Sequence, residues 1–139
     1  MDKVIFACVH NAGRSQMAAA FFNQLANRAQ AGAVSAGTQP GERVHPVVVD
    51  VMNEAGIDLS FQKPQRLTES LARDARLLVT MGCGEECPYV PGLQVEDWPL
   101  QDPKDQPVEV VRQIRDDIKR RVTALVDSRG WSAYPERTA

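Results

Sequence analysis

The chain lacks any long hydrophobic run. Its hydrophobic share of 43% is ordinary for a globular protein, but no apolar stretch approaches the ~20 residues that a membrane-spanning helix needs. The first nine residues also lack the layout of a signal peptide. We therefore expect a cytoplasmic protein that does not contact a membrane.

An excess of positive charge is also missing. The formal net charge is −2, whereas a general nucleic-acid binder carries a marked basic surplus. Nucleic acid is therefore not an expected partner, and any site for an anion must be local.

Cysteine is scarce, and the three cysteines are Cys8, Cys83 and Cys87. Three cysteines in a cytoplasmic chain do not make a disulfide scaffold, so redox or nucleophilic use comes before structural use. Zinc would need four ligands, and the chain has only two histidines to add to its cysteines. We expect no metal centre and no tightly bound cofactor.

Alternating strand and helix patterns run through the whole chain. Apolar, β-branched runs at 4–9, 33–36, 76–81 and 93–98 predict four strands, and stepwise apolar positions from 46 and from 108 predict helices. This alternation favours an α/β fold, a three-layer α/β/α domain with a four-stranded parallel sheet. We place the single domain at 1–130 and a C-terminal tail at 131–139, with Trp131 docked on the domain.

The stretch from Val4 to Ser15 carries the strongest chemical signal. The run 4–9 predicts a buried strand that ends near Cys8, and a polar loop with Gly13 follows it. A helix then begins near Ser15, with apolar residues four apart at Met17, Phe21, Leu25 and Ala29.

This strand, loop and helix arrangement suits a tetrahedral oxyanion. Loop N–H groups and a helix N-terminus bind such an anion, and Arg14 adds a planar two-pronged donor. The same positive field and a hydrogen bond from Ser15 favour a thiolate at Cys8, which is then a nucleophile. The alternative is a buried structural cysteine. The expected oxyanion-binding residues are Val9, His10, Asn11, Ala12, Gly13 and Arg14.

Two further groups of residues complete the expected chemistry. Asp102 is a candidate general acid, with Asp97 and Asp105 as rivals and a simple turn role as the alternative. Cys83 and Cys87 are four residues apart, within disulfide range if the segment is helical, and they suit a thiol relay, although two inert cysteines remain possible. His10 lies inside the loop, while His45 precedes Pro46 and is expected to be a cap or a surface residue.

Several motifs together resemble arsenate reductases built on the low-molecular-weight tyrosine phosphatase fold. They are Cys8-Val9-His10-Asn11-Ala12-Gly13-Arg14-Ser15, Ser35-Ala36-Gly37-Thr38, Gly56-Ile57-Asp58 and Trp98-Pro99-Leu100-Gln101-Asp102-Pro103. The resemblance implies Cys8 as the nucleophile, Arg14 as the oxyanion clamp, Ser15 as the thiolate partner and Asp102 as the general acid. In some members of that family the positions of Asn11 and Ser35 help to bind a potassium ion.

By this resemblance the chain reduces arsenate to arsenite in arsenical detoxification and resistance, with phosphate or sulfate as analogues of the substrate. Cys8 forms an arseno-cysteine, Cys83 attacks Cys8, and a Cys83–Cys87 disulfide remains for an external thiol reductant. That reductant is thioredoxin, or a mycothiol, mycoredoxin or glutaredoxin system, because the two later cysteines are closer together than in the usual thioredoxin-coupled members. A monomer is expected.

Two other functions remain open. A phosphatase of the same fold would use Cys8, Arg14 and Asp102 on phosphate esters, although Lys104 stands where that branch commonly has an aromatic residue. A non-catalytic anion sensor would bind phosphate at the loop and use the cysteine pair as a redox switch.

Overall fold

The structure, a computed structural model, describes residues 1–82 and 90–133. Within these residues no helix has both the length and the apolar character needed to cross a membrane. The strands are β1 (Asp2–Cys8), β2 (Ala31–Gly37), β3 (Leu77–Thr80) and β4 (Gln94–Asp97). The helices are α1 (Arg14–Leu25), α2 (Pro46–Glu54), α3 (Glu69–Arg73) and α4 (Val108–Ser128).

The four strands form one parallel sheet in the order β2-β1-β3-β4. β1 is therefore paired on both sides, which agrees with the unbroken apolar run that predicted a fully buried strand. The carboxyl ends of β1 and β3 meet at one edge, where the Met81 N–H donates to the Ala7 carbonyl at 2.7 Å. The residue after Met81 thus leaves the sheet beside Cys8.

Helices cover both faces of the sheet. Val4, Phe6 and Cys8 of β1 pack into the larger core with α1, α2 and α4, while Ile5 and Ala7 face a smaller core with α3. This alternation of β1 side chains between two cores produces three layers. The predicted α/β/α architecture with four parallel strands is confirmed.

The first helix is shorter than its sequence pattern predicted. It ends at Leu25, because Ala26 adopts an extended conformation and the Asn27 side chain accepts a hydrogen bond from the Ala29 N–H at 3.0 Å. A local turn of this kind, made by an asparagine side chain, competes with the helix. Ala29 is exposed, so its expected place on the buried helix face was wrong.

Helix α2 is held between the first loop and α4. The His45 N–H, just before the helix, donates to the Ala12 carbonyl at 2.9 Å. At the other end Glu54 accepts hydrogen bonds from Arg112 and Arg115 of α4. The hydrogen bonds from Arg112, which has the larger effect, and from Arg115 lower the pKa of Glu54 to about 2. The carboxylate of Glu54 therefore stays charged at neutral pH.

Trp131 lies against the domain, as expected. Its ring is buried and makes an edge contact with Phe22 at a centroid distance of 5.7 Å, and the Trp131 backbone N–H donates to the Val126 carbonyl. Trp131 is therefore fastened to α1 through Phe22.

Candidate active site

The segment that follows β2 holds the β1–α1 loop, residues 9–13, by hydrogen bonds to its carbonyl groups. Four carbonyls between Cys8 and Ala12 accept backbone hydrogen bonds from the segment that follows β2. The pairs are Cys8 with Thr38 (3.3 Å), Val9 with Gln39 (2.8 Å), His10 with Gly41 (2.9 Å) and Ala12 with His45 (2.9 Å). The loop is therefore braced along its whole length before any ligand binds.

The same peptide groups turn their N–H bonds inward. No peptide bond of the described residues is cis, and in a trans peptide the N–H points away from the preceding carbonyl. The carbonyl of Asn11 also faces outward, where it accepts from the Gln16 side chain at 3.1 Å. The N–H groups of residues 9–13 thus point into the space that the loop encloses, next to the first turn of α1, which is an arrangement that favours an oxyanion.

Asn11 holds the loop in shape from inside. Its backbone has φ of 52°, in the left-handed region that asparagine tolerates better than most residues. Its Oδ1 accepts the backbone N–H of Gln65 at 2.9 Å. Because a backbone N–H can only donate, this bond fixes the orientation of the amide, and Nδ2 then donates to Ser15 Oγ at 2.8 Å.

Cys8 and Ser15 are in direct contact. The distance from Cys8 Sγ to Ser15 Oγ is 2.9 Å, and both side chains are buried. Either atom can be the donor when Cys8 is a thiol, but a Cys8 thiolate can only accept, so Ser15 Oγ would then donate to the sulfur. A donor aimed at sulfur stabilises the thiolate more than the thiol, so this chain of bonds favours a nucleophilic Cys8.

Arg14 is fixed beside the loop by contacts from the segment after β4. Its Nη1 donates to the Leu100 carbonyl at 2.9 Å, and its Nη2 lies 3.7 Å from Asp102 Oδ2. Only 8% of Arg14 is exposed. A guanidinium held in this way presents a fixed planar set of donors.

Asp102 is the carboxylate that the structure brings to Arg14. The Lys104 N–H donates to Oδ1 at 3.0 Å, which leaves Oδ2 directed at Arg14. The rival Asp97 instead accepts from Thr80 at 2.7 Å within the sheet. The other rival, Asp105, lies exposed with φ of 61°.

The two histidines are placed around the loop. His10 Nδ1 lies 3.0 Å from the Gln39 carbonyl, to which it donates, so its ring braces the neighbouring segment. His45 precedes the first residue of α2. Burial lowers the pKa of His45, and the Asp102 carboxylate opposes that change, so the ring is neutral at pH 7.

Sequence reasoning missed three contributors to this site. Gln65 and Gln16 both donate to Asn11, and Leu100 holds Arg14 through its carbonyl. The Gln65 and Leu100 contacts are made by backbone atoms, which any residue type carries. Only Gln16, one turn beyond the loop, offered a visible polar side chain.

Two oxygens of the residues expected to hold potassium, Asn11 Oδ1 and the Ser35 carbonyl, already accept hydrogen bonds. Asn11 Oδ1 accepts from the Gln65 N–H and from Gln16, and the Ser35 carbonyl accepts from Gln65 Nε2 at 2.9 Å. A cation at these atoms would meet the hydrogens of two amides. Among residues 1–82 and 90–133 there is also no cluster of three or more His, Cys, Asp or Glu residues suited to a metal.

Cys83 and Cys87 lie outside the described residues, but the approach to them is visible. Gly82 has φ of 95°, and a side chain added there would put its Cβ 2.8 Å from Arg14 Nη1. The backbone one residue before Cys83 therefore lies against the guanidinium of the candidate site.

A pair of glycine variants tests this close approach. Gly82→Ala and Gly92→Ala both place a side chain at positive φ, of 95° and 82°, so both are expected to lower the thermal midpoint. Only Gly82→Ala crowds Arg14, because no atom of residues 1–82 or 90–133 lies within 4 Å of a Cβ at Gly92. Phosphate and arsenate binding, measured by calorimetry, should weaken roughly tenfold in Gly82→Ala alone, as when a charged hydrogen bond is misaligned. Equal binding by the two variants would contradict the contact.

Comparisons with known proteins show the family of the chain. The sequence profile described as low molecular weight phosphotyrosine protein phosphatase matches residues 3–131. A provisionally named arsenate reductase of Halobacterium salinarum is 40% identical over 126 residues, which cover 88% of this chain and 89% of the relative. The glutaredoxin arsenate reductase of Synechocystis sp. is 37% identical, over 91% of this chain and 97% of its own.

A solved structure shows the same architecture. The thioredoxin-dependent arsenate reductase of Corynebacterium glutamicum superposes with a TM-score of 0.80 at 36% identity. The match covers 92% of this chain and 61% of that longer one. With a family profile that spans nearly all of its residues, the chain belongs to the low molecular weight phosphotyrosine protein phosphatase family.

Proposed function

We propose that the protein is an arsenate reductase in which Cys8 attacks arsenate and Cys83 and Cys87 carry the electrons. The observation that supports the proposal is the closeness of the Gly82 backbone to Arg14, because Gly82 directly precedes Cys83 in the sequence. A phosphatase needs no such pair. The names of the relatives in Halobacterium and Synechocystis support the same activity.

The first step joins Cys8 to arsenic. Arsenate binds to the inward N–H groups and Arg14, and the Cys8 thiolate forms a sulfur–arsenic bond as one arsenic–oxygen bond breaks. Asp102, 3.7 Å from Arg14, gives the departing hydroxide a proton and releases water. The donors around the loop stabilise the negative charge that builds up on the oxygens.

The second step reduces arsenic. The Cys83 thiolate attacks the Cys8 sulfur, and the electron pair of the sulfur–arsenic bond goes to arsenic, which leaves as arsenite. Cys87 then attacks Cys83 and frees the Cys8 thiolate, again held by Ser15. The resulting Cys83–Cys87 disulfide takes two electrons from an external thiol reductant.

Thioredoxin and glutaredoxin are the first reductants to consider. Relatives named for each of them match nearly all of this chain. A disulfide between cysteines four residues apart is a suitable substrate for either dithiol, and a mycothiol and mycoredoxin system is the remaining option. We propose a thioredoxin-type dithiol as the direct electron donor.

Hydrolysis of phosphate esters is the second candidate. Cys8, Arg14 and Asp102 suit phosphate as well as arsenate, since the two anions share charge and shape. Lys104, exposed after Pro103, offers no ring on which an aryl group can stack. We therefore expect aryl phosphate hydrolysis only as a slow side reaction.

One experiment on the wild-type protein separates these functions. NADPH consumption is followed with thioredoxin, glutaredoxin or mycoredoxin systems, each with and without arsenate, and aryl phosphate hydrolysis is measured in parallel. Arsenate-dependent consumption with at least one system is the expected result. Hydrolysis without any arsenate-dependent consumption would instead establish a phosphatase, and neither activity would leave an anion sensor.

A further inference from the structure

Gln65 ties three parts of the site together. Its backbone N–H donates to Asn11 Oδ1 and its carbonyl accepts from the Gly37 N–H, each at 2.9 Å. Its side-chain Nε2 donates to the Ser35 carbonyl, also at 2.9 Å. One residue thus fastens the inside of the loop to the end of β2.

These bonds lie at a small polar cavity behind the loop. The cavity has a volume of about 180 Å³, and its polar lining residues are Gln16, Asn23, Ser35, Gln62, Lys63 and Gln65. None of its lining residues, all within the described part of the chain, is Asp or Glu, and Lys63 adds a positive charge. Hard cations bind oxygen ligands, often carboxylates, whereas the Gln16 and Gln65 amides here direct N–H donors at the neighbouring oxygens.

We infer that Gln65 takes the place of a metal cation at this site. Its two N–H donors supply the positive partners that Asn11 Oδ1 and the Ser35 carbonyl would otherwise seek in a potassium ion. The protein therefore keeps its nucleophile ready without potassium.

The effect reaches Cys8 through the bonds described above. The bond from Gln65 Nε2 to the Ser35 carbonyl holds the Gln65 backbone N–H against Asn11 Oδ1. Asn11 Nδ2 in turn donates to Ser15 Oγ, which can donate to the Cys8 thiolate. Gln65 touches neither the sulfur nor the expected position of the anion. It is a positioning residue, and it acts on the reactivity of Cys8.

The test is Gln65→Glu, which keeps size and backbone N–H but replaces the side-chain donor by an acceptor. Two acceptors then face each other at the Ser35 carbonyl, and only a proton or a cation can sit between them. Gln62→Glu is the matched control. It adds the same charge to the same cavity, where Gln62 has no side-chain hydrogen bond with any residue of 1–82 or 90–133.

Two readouts follow the site without arsenate. The first is the rate at which iodoacetamide alkylates Cys8 in the folded protein as a function of pH, in potassium chloride and in choline chloride of equal ionic strength. The alkylated fraction is quantified, after digestion, on the peptide that contains Cys8. The thermal midpoint is measured in the same two salts. Because neither readout needs turnover, this inference and the proposed reaction can fail separately.

The wild type and Gln62→Glu are expected to behave alike in both salts. Gln65→Glu should react roughly tenfold more slowly at neutral pH in choline, the loss expected when one buried hydrogen bond is broken, and should recover in potassium. Gln65→Ala, which adds no charge, should also slow alkylation and serves if the glutamate variant does not fold. A wild type that responds to potassium, or a Gln62→Glu that matches Gln65→Glu, would overturn the inference.

Discussion

Replacing Cys8 by serine is expected to abolish both arsenate reduction and aryl phosphate hydrolysis. A serine hydroxyl at this position is a far weaker nucleophile than a thiolate. The fall should be about a thousandfold or more, as is usual when an enzyme loses its nucleophile. Steady-state rates with each substrate measure it.

Binding provides the control for this variant. The N–H groups that face the anion belong to the backbone, and Arg14 is held by Leu100 and Asp102, so none of these donors depends on sulfur. Cys8→Ser should therefore bind phosphate at least as well as the wild type in calorimetry. Turnover of arsenate at more than about one hundredth of the wild-type rate would show that Cys8 is not the attacking group.

Replacing Cys83 by serine is expected to separate the two activities. Arsenate-dependent consumption of the reductant should fall to background, because arsenic can still be joined to Cys8 but no thiol follows to expel arsenite. Hydrolysis of an aryl phosphate should continue at its slow wild-type rate, since water rather than Cys83 completes that reaction. Both rates are measured on the same preparation.

Cys87→Ser is the matched control for Cys83→Ser. This variant keeps the thiol that expels arsenite, so one arsenite per chain should appear and the protein should then stop as a Cys8–Cys83 disulfide. Mass spectrometry of digested, unreduced protein detects that bond. If Cys83→Ser turns over arsenate normally, the relay is wrong, whatever Cys87→Ser does.

The first strand, loop and helix start could be predicted because their signals are local. An apolar run long enough for one buried strand must end where polar residues and Gly13 begin, and β1 does end at Cys8. The helix end could not be predicted in the same way. Ala29 continued the apolar spacing, but the Asn27 side chain supplied a competing turn.

The rest of the site depends on contacts between distant segments. Spacing did not distinguish Asp102 from Asp97 and Asp105. In the folded chain Asp102 lies beside Arg14, which is 88 positions earlier in the sequence. Gln65 acts on Asn11 through a backbone N–H from 54 residues away, and a main-chain donor leaves no mark on residue type. Family resemblance supplied Asp102, whereas nothing in the sequence indicated Gln65.

The outward carbonyls of the β1–α1 loop have a consequence for selectivity. A cradle already braced by its neighbours is rigid and accepts whichever tetrahedral oxyanion fits, so abundant cellular phosphate competes with arsenate for occupancy. Discrimination between arsenate and phosphate then depends on the step after binding. Arsenic bonded to Cys8 accepts an electron pair from the sulfur, whereas phosphorus at the same position does not. Selectivity for arsenate would therefore depend on how easily the bound anion is reduced, and not on how well it fits the loop.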